Sequence, residues 1–121
     1  MSKASDRGRK GEDVALEWLQ ARGLVLRERN WRWNHKEIDL IMESERWLHV
    51  VEVKTLRAPA PIEPWEQVGP EKQRNLTLAA DHYLRQLKVT KEVHFDIVSV
   101  LEDERGEMHV EYIPEAFFAI G

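Results

Sequence analysis

The residues best suited to chemistry fall within two short apolar runs, Glu37-Ile38-Asp39-Leu40-Ile41 and Val50-Val51-Glu52-Val53-Lys54. Side chains of an extended chain alternate between faces, so Glu52 and Lys54 share one face, as do Glu37 and Asp39. A hairpin turning around Ser44–Arg46 would bring Asp39 up to the Glu52/Lys54 face. Two carboxylates held that close repel each other and are costly to leave unpaired in a partly buried place. A divalent cation removes that cost, and donors that are all oxygen suit Mg²⁺ or Mn²⁺ better than zinc. Such a cation keeps several waters, takes further ligands from a phosphate, lowers the pKa of a water and stabilises charge on a phosphoryl group. Asp39 and Glu52 would be its ligands. Lys54 would stabilise an attacking hydroxide or the charge developing on phosphorus. The set suits phosphodiester hydrolysis.

The spacing alone is weak, because a Glu-x-Lys triplet is expected by chance in so charged a chain and is commonly a surface ion pair. Position adds weight. Glu52 interrupts a valine run that reads as a central strand, and Asp39 is flanked by Ile38, Leu40 and Ile41. Charges in such places are usually paired or used.

The elements that must position these residues follow from periodicity. Ser5 or Asp6 can cap a first helix running to about Arg22, with Val14, Ala15, Trp18 and Leu19 on its apolar stripe and Gly23 as its stop. Strands are predicted over 24–30, over 36–43 with Ile38, Leu40 and Met42 on one face, and over 47–55. Gly69-Pro70 opens a second helix whose stripe is Leu76, Ala79, Ala80, Tyr83, Leu84 and Leu87. A fourth strand covers 93–101. After a turn at 102–106 a fifth covers 108–113, ended by Pro114 and followed by a short terminal helix over 115–120. Ala58 to Pro64 reads as an extended proline-rich loop, too short to divide domains. The order α-β-β-β-α-β-β predicts a single α/β domain over residues 1–121, a sandwich with a central mixed sheet flanked by helices.

Composition bounds the function. The chain has 121 residues, 42% hydrophobic and 33% charged, which is ordinary for one globular domain. It has no cysteine, which excludes a disulfide scaffold, thiol catalysis and thiolate zinc sites. No apolar run approaches the roughly 18–20 residues of a membrane helix, and the basic N-terminus lacks the apolar stretch of a secretory signal. No membrane partner is expected, and the expected location is cytoplasmic. The net charge of −4 is uneven. Residues 1–36 carry +4 and residues 37–121 carry −8, so a basic face can exist on an acidic protein.

Other residues have two readings each. Glu12 is either a further acidic group or a first-turn carboxylate favoured by the helix dipole. Gly8 and Gly11 either let the helix start approach a phosphate or mark a frayed end. Arg27, Arg29, Trp31, Arg32 and Trp33 interleave base and aromatic, as nucleic-acid binders do, or form a strand whose tryptophans pack inward. Lys72 and Arg74 can reach a phosphate beside the site, or belong to a solvated first turn. Asp96, in mid-strand, is better read as structural. The histidines at 35, 49, 82, 94 and 109 show no metal-ligand spacing, and neither a phosphate loop nor a serine-hydrolase elbow is present.

An Asp, a hairpin and then apolar-Glu-x-Lys resembles the core motif of the PD-(D/E)XK (restriction-endonuclease-like) nuclease superfamily, whose core element order also matches. More closely, the chain resembles the YraN family of small bacterial proteins. The matching stretches are Gly8-Arg9-Lys10-Gly11-Glu12-Asp13-Val14-Ala15, Arg29-Asn30-Trp31-Arg32, Glu37-Ile38-Asp39-Leu40-Ile41, Val50-Val51-Glu52-Val53-Lys54, Lys72-Gln73-Arg74 and His94-Phe95-Asp96-Ile97-Val98. A weaker similarity to archaeal Holliday-junction resolvases adds a helix-one acid. The resemblance implies a restriction-endonuclease-like fold and an Mg²⁺- or Mn²⁺-dependent endonuclease. Asp39 and Glu52 would hold the metal, Lys54 would be the catalytic lysine and Glu12 a third acid. The expected substrate is nucleic acid, DNA of branched or processed shape, with Arg29, Arg32, Lys72 and Arg74 on its phosphates. A junction-cutting enzyme would be a homodimer, so that both strands are cut. Two other classes stay open: a non-catalytic nucleic-acid-binding module on the same fold, and a protein-interaction domain whose acidic C-terminal half meets a basic partner.

Overall fold

The computed structural model describes residues 3–59, 68–88 and 90–119. Its elements follow the order expected from the apolar patterning: α1 (Lys3–Ala21), β1 (Val25–Trp33), β2 (Lys36–Glu43), β3 (Trp47–Arg57), α2 (Pro70–Leu87), β4 (Glu92–Glu102) and β5 (Met108–Phe117). The strands form one sheet in the order β1-β2-β3-β4-β5. β3 and β4 pair in parallel, and the other neighbours are antiparallel. A parallel pair needs a crossover, and α2 lies in it. The central pair is covered on both faces, which is why 48–53 and 95–100 read as nearly continuous apolar runs. No described helix is long and apolar enough to cross a membrane.

Each helix supplies one outer layer. Ala15 and Leu19 of α1 are fully buried against Leu40, Met42, Val51, Val98 and Val100. On the opposite face Leu76, Ala79, Ala80 and Tyr83 of α2 pack with Ile38, Ile41, Leu48, Val50, Phe95 and Ile97. Gly23 ends α1 as expected. At φ 93° it lets its own N–H reach the Gln20 carbonyl at 3.0 Å and the Leu24 N–H reach the Leu19 carbonyl at 3.2 Å, satisfying two carbonyls that the helix end leaves open.

Several boundaries differ from the expectation. α1 starts at Lys3, so positions 5 and 6 lie inside it rather than before its first turn. β1 continues past Asn30 to Trp33. Leu87 falls outside the buried stripe and is 45% exposed. The short terminal helix does not form over 115–117, because β5 runs through Pro114 to Phe117. β5 is an edge strand, where a proline without an N–H costs no ladder bond. Glu115 takes φ 47° and gives its N–H to Asp96 Oδ1 at 2.9 Å, and Phe117 then returns to stack on Phe95. Of the proline-rich segment, Ala58 and Pro59 are described; residues 60–64, and Ile120 of the expected helix, lie outside the described residues.

Asp96 ties this half of the sheet together and is wholly buried. Its carboxylate accepts from Tyr112 Oη at 2.6 Å and from the Glu115 N–H, and it lies 2.7 Å from His49 Nδ1. His49 Nε2 lies 3.0 Å from Ser44 Oγ, which also donates to the Trp47 carbonyl at 3.4 Å. The chain Ser44–His49–Asp96–Tyr112 therefore pins the β2–β3 hairpin to β4 and β5. Asp96→Ala leaves three donors without their acceptor, one of them on the buried His49, and is expected to cost about 3–5 kcal/mol, whereas Tyr112→Phe, which removes one donor, costs about 1 kcal/mol. Urea unfolding with unchanged slope checks both.

Candidate active site

The sheet forks between β2 and β3. Their ladder runs from Glu43↔Leu48 to Leu40↔Val51 and stops there. β2 nevertheless stays paired with β1 as far as Lys36, and β3 with β4 as far as Arg57. One step further along the same register, Asp39 would stand opposite Glu52. Like charges directly opposite destabilise an antiparallel pair, and the ladder ends where they would meet. Asp39 instead accepts the Val53 N–H at 2.9 Å through Oδ2, in place of a backbone carbonyl. The chain also loses its alternation here: Ile38 packs on the α2 side while Leu40 and Met42 pack on the α1 side. The three therefore do not share one face, contrary to the expectation. Across from Asp39 in β1, Asn30 adopts φ 51°, a conformation that asparagine tolerates better than most side chains.

The fork opens a pocket of about 380 Å³ lined by Gly8, Glu12, Asp39, Glu52, Val53, Lys54, Thr55 and Lys72. A continuous sheet would keep the two helical layers apart; here α1 supplies Glu12 and α2 supplies Lys72. Gly11 permits the approach of α1. A Cβ at Gly11 would come within 2.1 Å of Thr55 Oγ1 and 3.1 Å of Thr55 Cβ. Glu12 is held by Arg29 Nε at 3.3 Å and Asn30 Nδ2 at 3.2 Å. Arg29 also bonds Asp13 at 2.7 Å, so it braces the acid on the first helix.

Glu52 is the most buried of the three acids, its side chain 3% exposed. Its Oε2 is buried without a hydrogen bond. Lys72 Nζ, 3.1 Å away, and Lys54 Nζ, 3.8 Å away, offset its charge without giving a directed bond. Burial first, and then the Glu52 carboxylate beside it, push the Asp39 carboxyl from its ordinary 3.8 up to about 8; the Val53 N–H and the Lys72 charge oppose this. Glu12 is also raised, by burial and then by the charge of Asp39, with Asn30 and Arg29 offsetting part of it. Burial lowers the pKa of Lys72, but contact with Glu52 and the charges of Asp39 and Glu37 together outweigh that and leave it raised.

These donors fit a hard divalent cation. They are all oxygen, two are carboxylates that resist sharing the site while both are charged, and one buried oxygen has no hydrogen bond. Glu12 is a more distant third. Among the described residues the one set of three His or carboxylate ligand atoms within 4.8 Å of one another is Asp103, Glu107 and His109, at the β4–β5 turn. There Asp103 is already engaged, accepting the Arg105 and Glu107 N–H groups and lying 2.7 Å from His109 Nε2.

Residues 11–100 match the model of the uncharacterised protein family UPF0102. The chain belongs to that family. It is the YraN family that the motifs resemble. Over 119 residues, 98% of either chain, it is 37% identical to a UPF0102 protein of Parabacteroides distasonis. It is 37% identical over 111 residues to one of Bacteroides fragilis, covering 92% of this chain and 91% of the relative. To one of Flavobacterium psychrophilum it is 36% identical over 118 residues, 98% of each. The UPF0102 match spans Glu12, Asp39, Glu52, Lys54 and Lys72, that is, every charged residue lining the pocket.

The remaining site candidates separate. Arg32 is exposed and pairs with Glu37 at 3.3 Å. It lies in an adjoining cavity of about 630 Å³ with Arg9, Arg29 and Asn30; this cavity shares Gly8 and Glu12 with the acidic pocket. Arg74 does not reach the acidic pocket and lines a separate apolar cleft with Leu78, Phe117 and Phe118. α2 carries Lys72 toward the fork and sends Arg74, two positions on, round the helix. The tryptophans of β1 pack against α2, Trp31 on Tyr83 and Trp33 on His82 with ring centres 4.3 Å apart, so they offer the α2 layer what a base would have used. Sequence reasoning gave Asn30 and Arg9 no role of their own, although both stand in motif stretches. Nor did it place Lys72 among the acids.

Two outcomes follow from this geometry. An unfolded Asp39 titrates near 3.8 and the folded one near 8, so between those values the folded chain holds a proton that the unfolded chain has lost. Stability from this carboxyl is complete below the lower value and is lost as pH rises through the upper one. The thermal midpoint of metal-free protein should fall from about pH 5 to about pH 9; Asp39→Asn should flatten that part of the profile, and Mn²⁺ should restore the wild type alone at the alkaline end. Gly11→Ala should lower stability by about 1–3 kcal/mol despite alanine's better helix propensity. Thr55→Ala in the same chain should recover part of the loss in a urea titration.

Proposed function

We propose that this UPF0102 chain is an Mg²⁺- or Mn²⁺-dependent nuclease that hydrolyses phosphodiester bonds in DNA of branched or processed shape. One observation carries the reading: Asp39 and Glu52 meet at a fork in the sheet, with Glu52 Oε2 buried and without a hydrogen bond, in a pocket that also holds Glu12, Lys54 and Lys72. The resemblance to the PD-(D/E)XK core supports the same conclusion, and the α/β element order agrees with it.

Asp39 and Glu52 would hold the cation. Bound there, it supplies Lewis acidity, which lowers the pKa of water and offsets charge on the phosphoryl oxygens. Lys54 projects on the same face of β3 as Glu52 and stabilises the incoming hydroxide or the charge gathering on phosphorus. Glu12, whose proton affinity is raised and whose orientation Arg29 and Asn30 hold, is placed to take the proton of the attacking water. The water oxygen bonds to phosphorus, the ester bond to the departing sugar oxygen breaks, and that oxygen takes a proton from bulk water while Glu12 returns its own to solvent. Arg9 and Arg32, in the adjoining cavity, stand where flanking phosphates would pass. Cutting both strands of a junction calls for two copies of the chain.

Labelled single-stranded, duplex, flap and four-way-junction DNA, incubated with Mn²⁺, tests the reading. Wild type should cut at least one shape, and Asp39→Asn and Glu52→Gln should lose about 10²-fold or more in rate while remaining folded. Cleavage retained in a clean Glu52→Gln preparation refutes the assignment. Absence of cleavage together with a salt-sensitive, chelator-resistant gel shift would favour the non-catalytic binding module instead.

A further inference from the structure

Lys72 stands in the first turn of α2, two residues after Pro70. A cation there works against the helix dipole, which favours anions at the N-terminus, so the position is not explained by the helix. Its ammonium is explained by what it touches. Nζ lies 3.1 Å from Glu52 Oε2, nearer than Lys54 at 3.8 Å. The side chain of Lys72 is 41% exposed while that of Glu52 is 3% exposed. A flexible, partly solvated cation thus covers the one buried carboxylate oxygen among the described residues that lacks a hydrogen bond. That oxygen is also the one a divalent cation bound by Asp39 and Glu52 would use. An ammonium and a divalent cation repel at contact distance, so they cannot both keep Oε2. The lysine stem is long enough to leave. Around it the pocket offers Glu12 and Asp39, one braced by Arg29 and the other committed to the Val53 N–H. A phosphate entering the pocket would be the new anion within reach.

We propose that Lys72 is a displaceable counter-ion: it neutralises Glu52 until a divalent cation takes Oε2, and it then moves to an oxygen of the substrate phosphate. This inference rests on the metal-dependent reading above and adds a coupling to it. Metal binding frees the lysine for nucleic acid, and nucleic acid, by engaging the lysine, clears the metal ligand. Each must then strengthen the other's binding by the same factor.

Three readouts on wild type, Lys72→Met and Lys72→Arg test this. Without DNA, Mn²⁺ affinity measured by electron paramagnetic resonance should rise about tenfold in Lys72→Met and stay near wild type in Lys72→Arg. Acylation of Lys72 by an amine reagent, followed by peptide mass spectrometry against Lys88 as internal reference, should speed up when Mn²⁺ is added; a lysine that merely repels the metal from a fixed place would show no change. The gain in affinity that Mn²⁺ gives for a phosphorothioate-linked four-way junction should largely vanish in Lys72→Met. Equal Mn²⁺ affinity in all three proteins, unchanged acylation, or an unchanged metal-dependent gain would each overturn the inference while leaving the metal site standing. Failure of wild type and Lys72→Met alike to bind Mn²⁺ in a manner that Glu52→Gln abolishes would overturn both.

Discussion

The mutual repulsion of Asp39 and Glu52 is the constraint around which the rest of the molecule is arranged. An antiparallel ladder that continued one more step would place the two carboxylates face to face. β2 and β3 part at that step, and the Val53 N–H, which would have needed a carbonyl, is taken by Asp39 itself. The split is confined because each strand keeps its outer partner, β2 with β1 and β3 with β4. The sheet therefore opens a cleft while each strand stays held along its outer side.

A gap in the sheet removes the barrier between the two helical layers. Glu12 comes from the α1 side and Lys72 from the α2 side, and both reach the carboxylates of the middle layer. This convergence has steric terms: α1 must lie close enough to β3 for Glu12 to arrive, and Gly11 over Thr55 supplies that closeness. It also has a mechanical term. Charges that repel midway along β3 are tolerated because the start of the strand is fixed by the Ser44–His49–Asp96–Tyr112 chain, and because the residues between, Val50 and Val51, are buried, one in each core.

How far this could be read from the residues depended on the range of the interaction involved. Element order, the bounds of β2, Gly23 as a helix stop and the shared face of Glu52 and Lys54 all rest on periodicity and local backbone preference, and these were legible. Ile38 was misassigned because strict alternation was assumed through Asp39, where the strand leaves its neighbour. Pro114 reads as a strand stop in the sequence; on an edge strand its missing N–H costs nothing, and the chain goes on to stack Phe117 on Phe95. Arg29 carries the residue type of a phosphate binder, but its partners Glu12 and Asp13 lie on another element. Only the docking of α1 on the sheet shows that it braces an acid. Lys72 and Arg74 are likewise indistinguishable by type, and helical phase separates them.

The sheet also contains its own control for the meaning of a buried acid. Asp96 is as deeply buried as Glu52, and both interrupt apolar strands that pair with each other in parallel. Asp96 is satisfied from several sides, by a tyrosine hydroxyl, a backbone N–H and an imidazole. An acid retained for the fold is expected to look like that, since leaving a buried charge unpaired costs more than replacing it with an apolar side chain. Glu52 has an oxygen with no hydrogen bond and two lysines, at 3.1 and 3.8 Å, that offset its charge. Its neighbour Asp39 keeps a proton toward neutral pH because burial, and then Glu52 beside it, disfavour its charge. A cost of this kind, held in the stretch that matches the UPF0102 family, is what a site built to receive a cation and an anionic substrate would carry.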